Sequence, residues 1–173
     1  MEDVPEGLYL SENIIDERFE YKIIDWLDRR PWNTSLSRRT QHYGYEYNYR
    51  GGAVKPTTPM SGPILEIANL LNNCGIMNAN QCIVNEYYRG QGISAHTDSL
   101  NFGPIICGLS IGDDTTMLFQ KGSKSFKCFL PRRSLLMMTN DARYKWKHSI
   151  DKSVSGKNKN YRRISLTYRT VNV

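Results

Sequence analysis

Arg162-Arg163-Ile164-Ser165-Leu166-Thr167-Tyr168-Arg169, near the end of the chain, is the stretch on which the fold turns. Successive side chains of a β-strand point to opposite faces. Read as a strand, the segment puts Arg163, Ser165, Thr167 and Arg169 on one face and Ile164, Leu166 and Tyr168 on the other. The apolar face needs a cover. The polar face is either a solvated surface or, if helices cover its apolar side, the inside of a barrel. In the second case two guanidinium groups point inward and require anions. Arginine grips carboxylates through its planar fork, so a dicarboxylate would satisfy both.

Working outward, strand-like runs separated by turns extend upstream to Gln81. Strands are expected near 81–88, 104–111, 115–120, 125–130, 134–139, 145–150 and 162–170. The breaks fall at Gly90-Gln91-Gly92, Gly112-Asp113-Asp114, Lys121-Gly122-Ser123 and Thr139-Asn140-Asp141. Many short strands with frequent turns predict an antiparallel barrel or jelly roll. Before residue 80 the period is helical. Ser11 reads as a cap, followed by Ile14, Ile15, Phe19, Ile23, Ile24 and Leu27, and Pro31 ends the run. A second amphipathic stretch covers 63–71 and stops at Asn72-Asn73-Cys74-Gly75. The expectation is one domain over 1–173, mainly β with flanking α-helices. Its core is a jelly roll over about 81–173, with N-terminal helices and a lid region over about 1–80.

At 173 residues the chain is long enough to bury a core of its own. No apolar run approaches the roughly 20 residues a membrane span needs, and the acidic start Met1-Glu2-Asp3 lacks a secretory apolar region. Cys74, Cys82, Cys107 and Cys128 form no CxxC pair, which favours reduced thiols in an intracellular protein, cytoplasmic or nuclear, over a disulfide framework. A monomer that does not engage membranes is expected. Residues 1–28 hold nine acids against two bases, whereas 29–173 hold 21 lysines and arginines against eight acids. A body this basic suits a polyanionic partner, most commonly nucleic acid.

Of the three histidines, one stands in His96-Thr97-Asp98 and another, His148, lies fifty residues after Asp98. On a strand, positions i and i+2 share a side, so His96 and Asp98 can converge on one ion. A ligand from a later strand would complete a facial set of two histidines and a carboxylate. That arrangement leaves coordination positions open and is associated with non-haem Fe(II) oxygenases, although zinc also accepts such ligands. Asn85 and Tyr87 share parity eleven and nine residues before His96. An amide and a phenol beside an arginine would complete the hydrogen bonding of a buried carboxylate.

Asn85-Glu86-Tyr87, Gly92, His96-Thr97-Asp98, His148 and Arg163-x5-Arg169 together resemble the AlkB family of Fe(II)/2-oxoglutarate dioxygenases. The resemblance covers roughly residues 80 to 171 and includes Leu130-Pro131-Arg132-Arg133-Ser134 and Arg143-Tyr144-Lys145-Trp146-Lys147-His148. It implies a double-stranded β-helix of the cupin-like kind, with Fe(II) on His96, Asp98 and His148. It also implies 2-oxoglutarate as cosubstrate, its distal carboxylate among Asn85, Tyr87 and Arg163, with Arg169 near the metal-bound end. In such enzymes O2 and 2-oxoglutarate are consumed, giving succinate and CO2, and a substrate carbon is hydroxylated. A hydroxylated N-methyl group then leaves as formaldehyde, whereas a C-hydroxyl group persists.

For substrate, His42-Tyr43-Gly44-Tyr45-Glu46-Tyr47-Asn48-Tyr49-Arg50 alternates as though four tyrosines shared one strand face. With Arg38, Arg39 and Arg50 nearby, Tyr43, Tyr45 and Tyr47 are candidates for a base-stacking, phosphate-gripping lid, or else the cover of an edge strand. In the family this region carries the substrate lid. Members that repair adenine N1 or cytosine N3 usually place an acid two residues after the ligand aspartate, where this chain has Leu100. The tyrosine-rich stretch instead resembles the branch that hydroxylates a modified tRNA wobble uridine. Oxidation of alkylated or modified DNA or RNA is the leading expectation, with a protein side chain as the alternative target. A non-catalytic nucleic-acid-binding domain is the third reading.

Overall fold

The computed structural model describes residues 3–48 and 50–172. The elements in chain order are β1 (Leu8–Ser11), α1 (Glu17–Asp28), β2 (Arg39–Tyr43), β3 (Tyr45–Tyr47), β4 (Val54–Pro56), α2 (Gly62–Asn73) and β5 (Gln81–Tyr88). There follow β6 (Ile93–His96), β7 (Ile106–Gly112), β8 (Thr115–Lys121), β9 (Lys124–Leu130), β10 (Leu135–Met138), α3 (Asn140–Tyr144), β11 (Lys147–Ile150) and β12 (Arg162–Arg169). A six-stranded sheet, ordered β1-β10-β7-β12-β5-β2, faces a four-stranded sheet ordered β6-β11-β8-β9, and β3 and β4 form a separate hairpin. The expected antiparallel jelly roll with flanking helices is the observed fold.

The two faces of β12 meet different surroundings. Ile164, Leu166 and Tyr168 are fully buried in one cluster with Ile23 and Leu27 of α1 and Ile64, Ile67 and Leu71 of α2. Tyr168 satisfies its hydroxyl by donating to the Ile64 carbonyl at 2.9 Å. Neighbouring strands share this parity, since Cys82 and Val84 of β5 and Cys107, Leu109 and Ile111 of β7 join the same cluster. The helices therefore seal the outer face of the large sheet, and its inner face looks toward the smaller one. Helix α1 rests on buried charge as well as apolar area. Glu20 of α1 has no solvent exposure and is held by Arg132 and Arg133. Glu86 of β5, equally buried, takes Arg39 at 2.7 Å and Arg162 at 2.6 Å, and Arg162 also reaches Asp28 of α1. A buried carboxylate is tolerated only when paired in this way.

The N-terminal region departs from expectation in two places. Ser11 is not a helix cap: it ends β1, paired with Leu135 at the edge of the large sheet. The cap is Asp16, whose Oδ1 accepts the Phe19 amide at 2.7 Å. A carboxylate next to the first turn satisfies an otherwise orphaned amide there, which Ser11 is too far upstream to do. Nor does Tyr43 share a face with Tyr45 and Tyr47. Gly44, at φ +77°, passes so close to the Asn80 carbonyl that a Cβ would lie 2.0 Å from its oxygen. The bend there resets the alternation, sending Tyr43 under the helices and Tyr45 and Tyr47 into the hairpin. Tyr49 lies outside the described residues.

Removing apolar volume on the helix side of β12 should be far more costly than a change on its inner face. Leu166→Ala should lower stability by about 2–5 kcal/mol, and Ser165→Ala by about 1 kcal/mol or less. Urea unfolding of the two variants checks this, and equal losses would contradict the assigned parity.

Candidate metal and cosubstrate site

Between the sheets lies a cavity of about 370 Å³ lined by residues of both. The inner face of β12 supplies Arg163, Ser165, Thr167 and Arg169, β5 supplies Asn85 and Tyr87, and β7 supplies Ile106, Gly108 and Ser110. Opposite them stand His96, Asp98, Met117, His148 and Ile150. All seven residues expected to hold metal or cosubstrate thus meet in one chamber.

At one end His96, Asp98 and His148 each offer an atom within 4.8 Å of the others. Strand pairing enforces part of this, because His148 of β11 lies directly opposite His96 of β6. Asp98 is not on the strand but two residues past its end, in the loop leading to β7. Its Oδ1 lies 3.7 Å from His96 Nε2 and 3.4 Å from His148 Nε2, buried and without a hydrogen-bond partner. Ligand atoms sharing an ion at about 2.0–2.2 Å must approach one another this closely. Burial opposes the charge of Asp98, but Arg169 and the imidazoles outweigh it and hold the carboxyl at about 2. Arg169 Nε donates to the other oxygen, Oδ2, at 2.6 Å. Burial also pushes His148 down to about 4, so its imidazole is neutral at physiological pH. The Nδ1–H of His96 donates to the Ser94 carbonyl at 2.8 Å, which leaves Nε2 as the lone pair facing the triad. The neutral imidazole of His148 and the ionised carboxylate of Asp98 thus stand beside Nε2 of His96 as a ready set of donor atoms.

The other end of the chamber is built for an anion. Arg163 is 2 % exposed and gives one nitrogen to Ser110 Oγ at 2.9 Å, while its Nε and Nη1 have no partner. A guanidinium buried without a counter-charge is costly, and a bound carboxylate would remove that cost. Tyr87 lies against this guanidinium, 5.4 Å from ring centroid to carbon. Asn85 Oδ1 accepts Arg38 Nε at 3.0 Å, so its amide nitrogen is left to donate. Between the two ends Gly108 faces open space, with nothing within 4 Å of where a Cβ would stand.

The candidate substrate residues divide. Arg38 and Tyr47 line the cavity, and Tyr47 packs 5.5 Å from Phe102 at its wall. Tyr45 is half-buried against the same apolar cluster, outside the lining. Tyr43 is in the core beside Trp26 and donates its hydroxyl to Gln41, so it cannot meet a substrate. Arg39 points to the opposite face of the large sheet, where buried Glu86 draws its guanidinium away from the cavity. Leu100 projects into solvent at 81 % exposure, on the loop after Asp98 but outside the lining.

Sequence reasoning missed the role of Arg143. This α3 side chain is 2 % exposed and donates to the carbonyls of Asp98, Ser99, Phe102 and Gly103 at 2.8–3.2 Å. One planar group thereby ties down the loop that presents the ligand Asp98. In the sequence it is one cation in a basic run, and nothing there signals a side chain that binds backbone. Gly108 did carry a signal, since glycine inside a strand often marks a close approach by a ligand.

A sequence profile of the 2OG-Fe(II) oxygenase superfamily matches residues 26–169, and the chain belongs to that superfamily, in its AlkB branch. It is 34 % identical over 165 residues to mouse (Mus musculus) tRNA (carboxymethyluridine(34)-5-O)-methyltransferase ALKBH8, covering 87 % of this chain and 25 % of that protein. It is 31 % identical over 180 residues to a Caenorhabditis elegans DNA N6-methyl adenine demethylase, covering 95 % and 60 %. The chain thus spans about a quarter of the first relative and under two thirds of the second. The solved structure of OsALKBH1 superposes with a TM-score of 0.77 at 14 % identity, covering 98 % of this chain and 99 % of that one, which shows a shared fold. Fe(II), 2-oxoglutarate and O2 are the family's cofactor and cosubstrates, and the residues present fit them: an unpartnered carboxylate oxygen near two imidazoles, and a buried guanidinium with two unpartnered nitrogens at the other end of the chamber.

Loosening the Asp98 loop should weaken the metal site without removing a ligand. Arg143→Met is expected to lower Mn(II) affinity about 10–100-fold, the usual scale for groups that orient ligands. Calorimetric titration reads it, and an unchanged affinity in a folded variant would show that the loop holds its shape unaided.

Proposed function

We propose that the protein is an Fe(II)- and 2-oxoglutarate-dependent dioxygenase that oxidises a modified or alkylated base of DNA or RNA. The observation that carries the chemistry is the pairing of the His96–Asp98–His148 triad with the unsatisfied guanidinium of Arg163 at the two ends of one chamber. Bound to the triad, Fe(II) would supply activation of O2 coupled to oxidative decarboxylation of 2-oxoglutarate.

The chain's own residues do the rest. Arg163, Asn85 and Tyr87 hold the distal carboxylate and so fix the cosubstrate along the chamber axis. Gly108 leaves room for its carbon chain. Arg169 holds Asp98 ionised and oriented, so Oδ2 is occupied and Oδ1 would be left to hold the metal. Phe102, Ile106, Met117, Leu130, Leu136 and Met138 keep the surroundings apolar and exclude water that would quench the oxidising equivalent.

Nucleic acid as substrate is supported by the basic body of the chain, by Tyr47 and Arg38 at the cavity, and by the nucleic-acid substrates in the relatives' names. Tyr47 offers a ring on which a base could stack. The protein is read as intracellular, in keeping with Cys82, Cys107 and Cys128 buried as free thiols.

Two measurements test these claims separately. Arg163→Ala should weaken 2-oxoglutarate binding to the Mn(II)-loaded protein by about 3–5 kcal/mol, and Gly108→Leu should block it while Mn(II) still binds; unchanged affinity in either would refute the assigned pose. Aerobic incubation with Fe(II), 2-oxoglutarate, methylated DNA and RNA oligonucleotides and bulk tRNA, followed by nucleoside mass spectrometry, tests the substrate. Loss of a methyl group or gain of one oxygen is expected. Succinate formed with every nucleoside unchanged would turn the reading to a protein side chain.

A further inference from the structure

The loop 151–160 between β11 and β12 carries Lys152, Lys157 and Lys159, all exposed, and none pairs with a carboxylate among the described residues. The one acid of this loop, Asp151, is engaged locally, accepting the Ser153 amide at 2.7 Å and its hydroxyl at 2.5 Å. The neighbouring acids Asp113 and Asp114 are likewise occupied by the backbone amides of Arg162 and Arg132. The loop is fixed in place rather than trailing. Arg89, itself exposed, donates to the Gly156 carbonyl at 3.2 Å, and the Gly90 amide donates to Ser155 Oγ at 3.0 Å. Val154 packs onto Tyr87, Ile150 and Tyr161 beside the anion end of the chamber.

That basic knob is connected to the cavity. The turn holding Arg89 reaches across to residue 37, where Gln91 Nε2 donates to the Ser37 carbonyl at 2.6 Å. The next residue, Arg38, lines the cavity against Asn85. Segments bound to one another thus carry Arg38 at the cavity wall, Arg89 on the adjoining turn and the three lysines on the loop, and together these cations form a basic rim. Lys152 is four residues from the ligand His148, so it lies no more than about 14 Å away.

We propose that this rim is where the sugar–phosphate backbone flanking the target nucleotide docks on its way out of the active site. The inference rests on the nucleic-acid reading above and extends it to a specific surface. Cations spaced along a protruding loop, three lysines against the single acid Asp151 and none of them in an ion pair among the described residues, suit a chain of phosphates. Such contacts position a strand without reading its sequence.

The test is fluorescence anisotropy with single-stranded RNA and DNA of one sequence, titrated at several salt concentrations. It compares the full chain with Lys152→Gln/Lys157→Gln/Lys159→Gln and with Lys121→Gln/Lys124→Gln/Lys127→Gln. The second triple makes the same formal charge change on the β8–β9 hairpin, outside the rim. Mn(II) and 2-oxoglutarate binding verifies that both variants are folded. The loop variant should bind at least tenfold more weakly at 0.1 M salt. Its log–log salt slope should fall by about 2, since each single-strand phosphate that a cation neutralises adds about 0.7 to that slope, and the hairpin variant should change less. Equal binding by all three, or equal weakening by both variants, would overturn the docking surface while leaving nucleic acid as substrate. No binding of either oligonucleotide by the unmodified chain would overturn the substrate reading itself and the rim with it. A difference between RNA and DNA would identify which backbone the rim prefers.

Discussion

The site depends on one strand serving two incompatible surroundings. β12 must bury Ile164, Leu166 and Tyr168 under the helices, and the same alternation forces Arg163 and Arg169 inward. Neither arginine can turn away without tearing the apolar side from α1 and α2. Arg169 finds a partner in Asp98, but Arg163 keeps two unpartnered nitrogens. Among the described residues Asp98 is the one carboxylate lining the chamber, against Arg38, Arg163 and Arg169, so positive charge is in excess there. A dicarboxylate anion would supply what is missing, and the oxygen of Asp98 that Arg169 leaves free would be available to a metal ion. Stability of the outer face and chemistry of the inner face are thus consequences of the same parity.

The metal end shows how such a site is held. Strand pairing delivers His96 and His148 to one place, but Asp98 lies beyond the strand and needs separate support. Arg169 fixes its side chain and Arg143 fixes its backbone, so two guanidinium groups constrain one residue at both its carboxylate and its main chain. This explains why a short, irregular loop can carry a ligand with the precision that catalysis requires.

Much of this was legible in the sequence, for a physical reason. Alternation on β12 and β5 is a strong pattern because both faces of those strands are buried, one apolar and one polar. It placed Arg163, Arg169, Asn85 and Tyr87 on a shared interior face, where the structure also has them. The lid region was less readable because Gly44 breaks the alternation and local period says nothing beyond such a bend. Tyr43 and Arg39 consequently looked like surface groups, whereas the first fills the core beside Trp26 and the second answers a buried glutamate 47 residues away. The same limit hid Arg143, whose partners are backbone carbonyls some 40 residues upstream. Long-range contacts of that kind leave no local periodicity to read.

The central claim, that the triad end of the chamber holds the metal and 2-oxoglutarate reaches from it to Arg163, is tested most directly by anaerobic absorption spectroscopy. Chelation of Fe(II) by 2-oxoglutarate produces a visible charge-transfer band that neither component shows alone. Titrating 2-oxoglutarate into the Fe(II)-loaded chain should raise that band to saturation at one equivalent per chain, and Asp98→Ala should abolish it. A chain that binds Fe(II) and 2-oxoglutarate but never develops the band would show that the two do not meet at His96, Asp98 and His148.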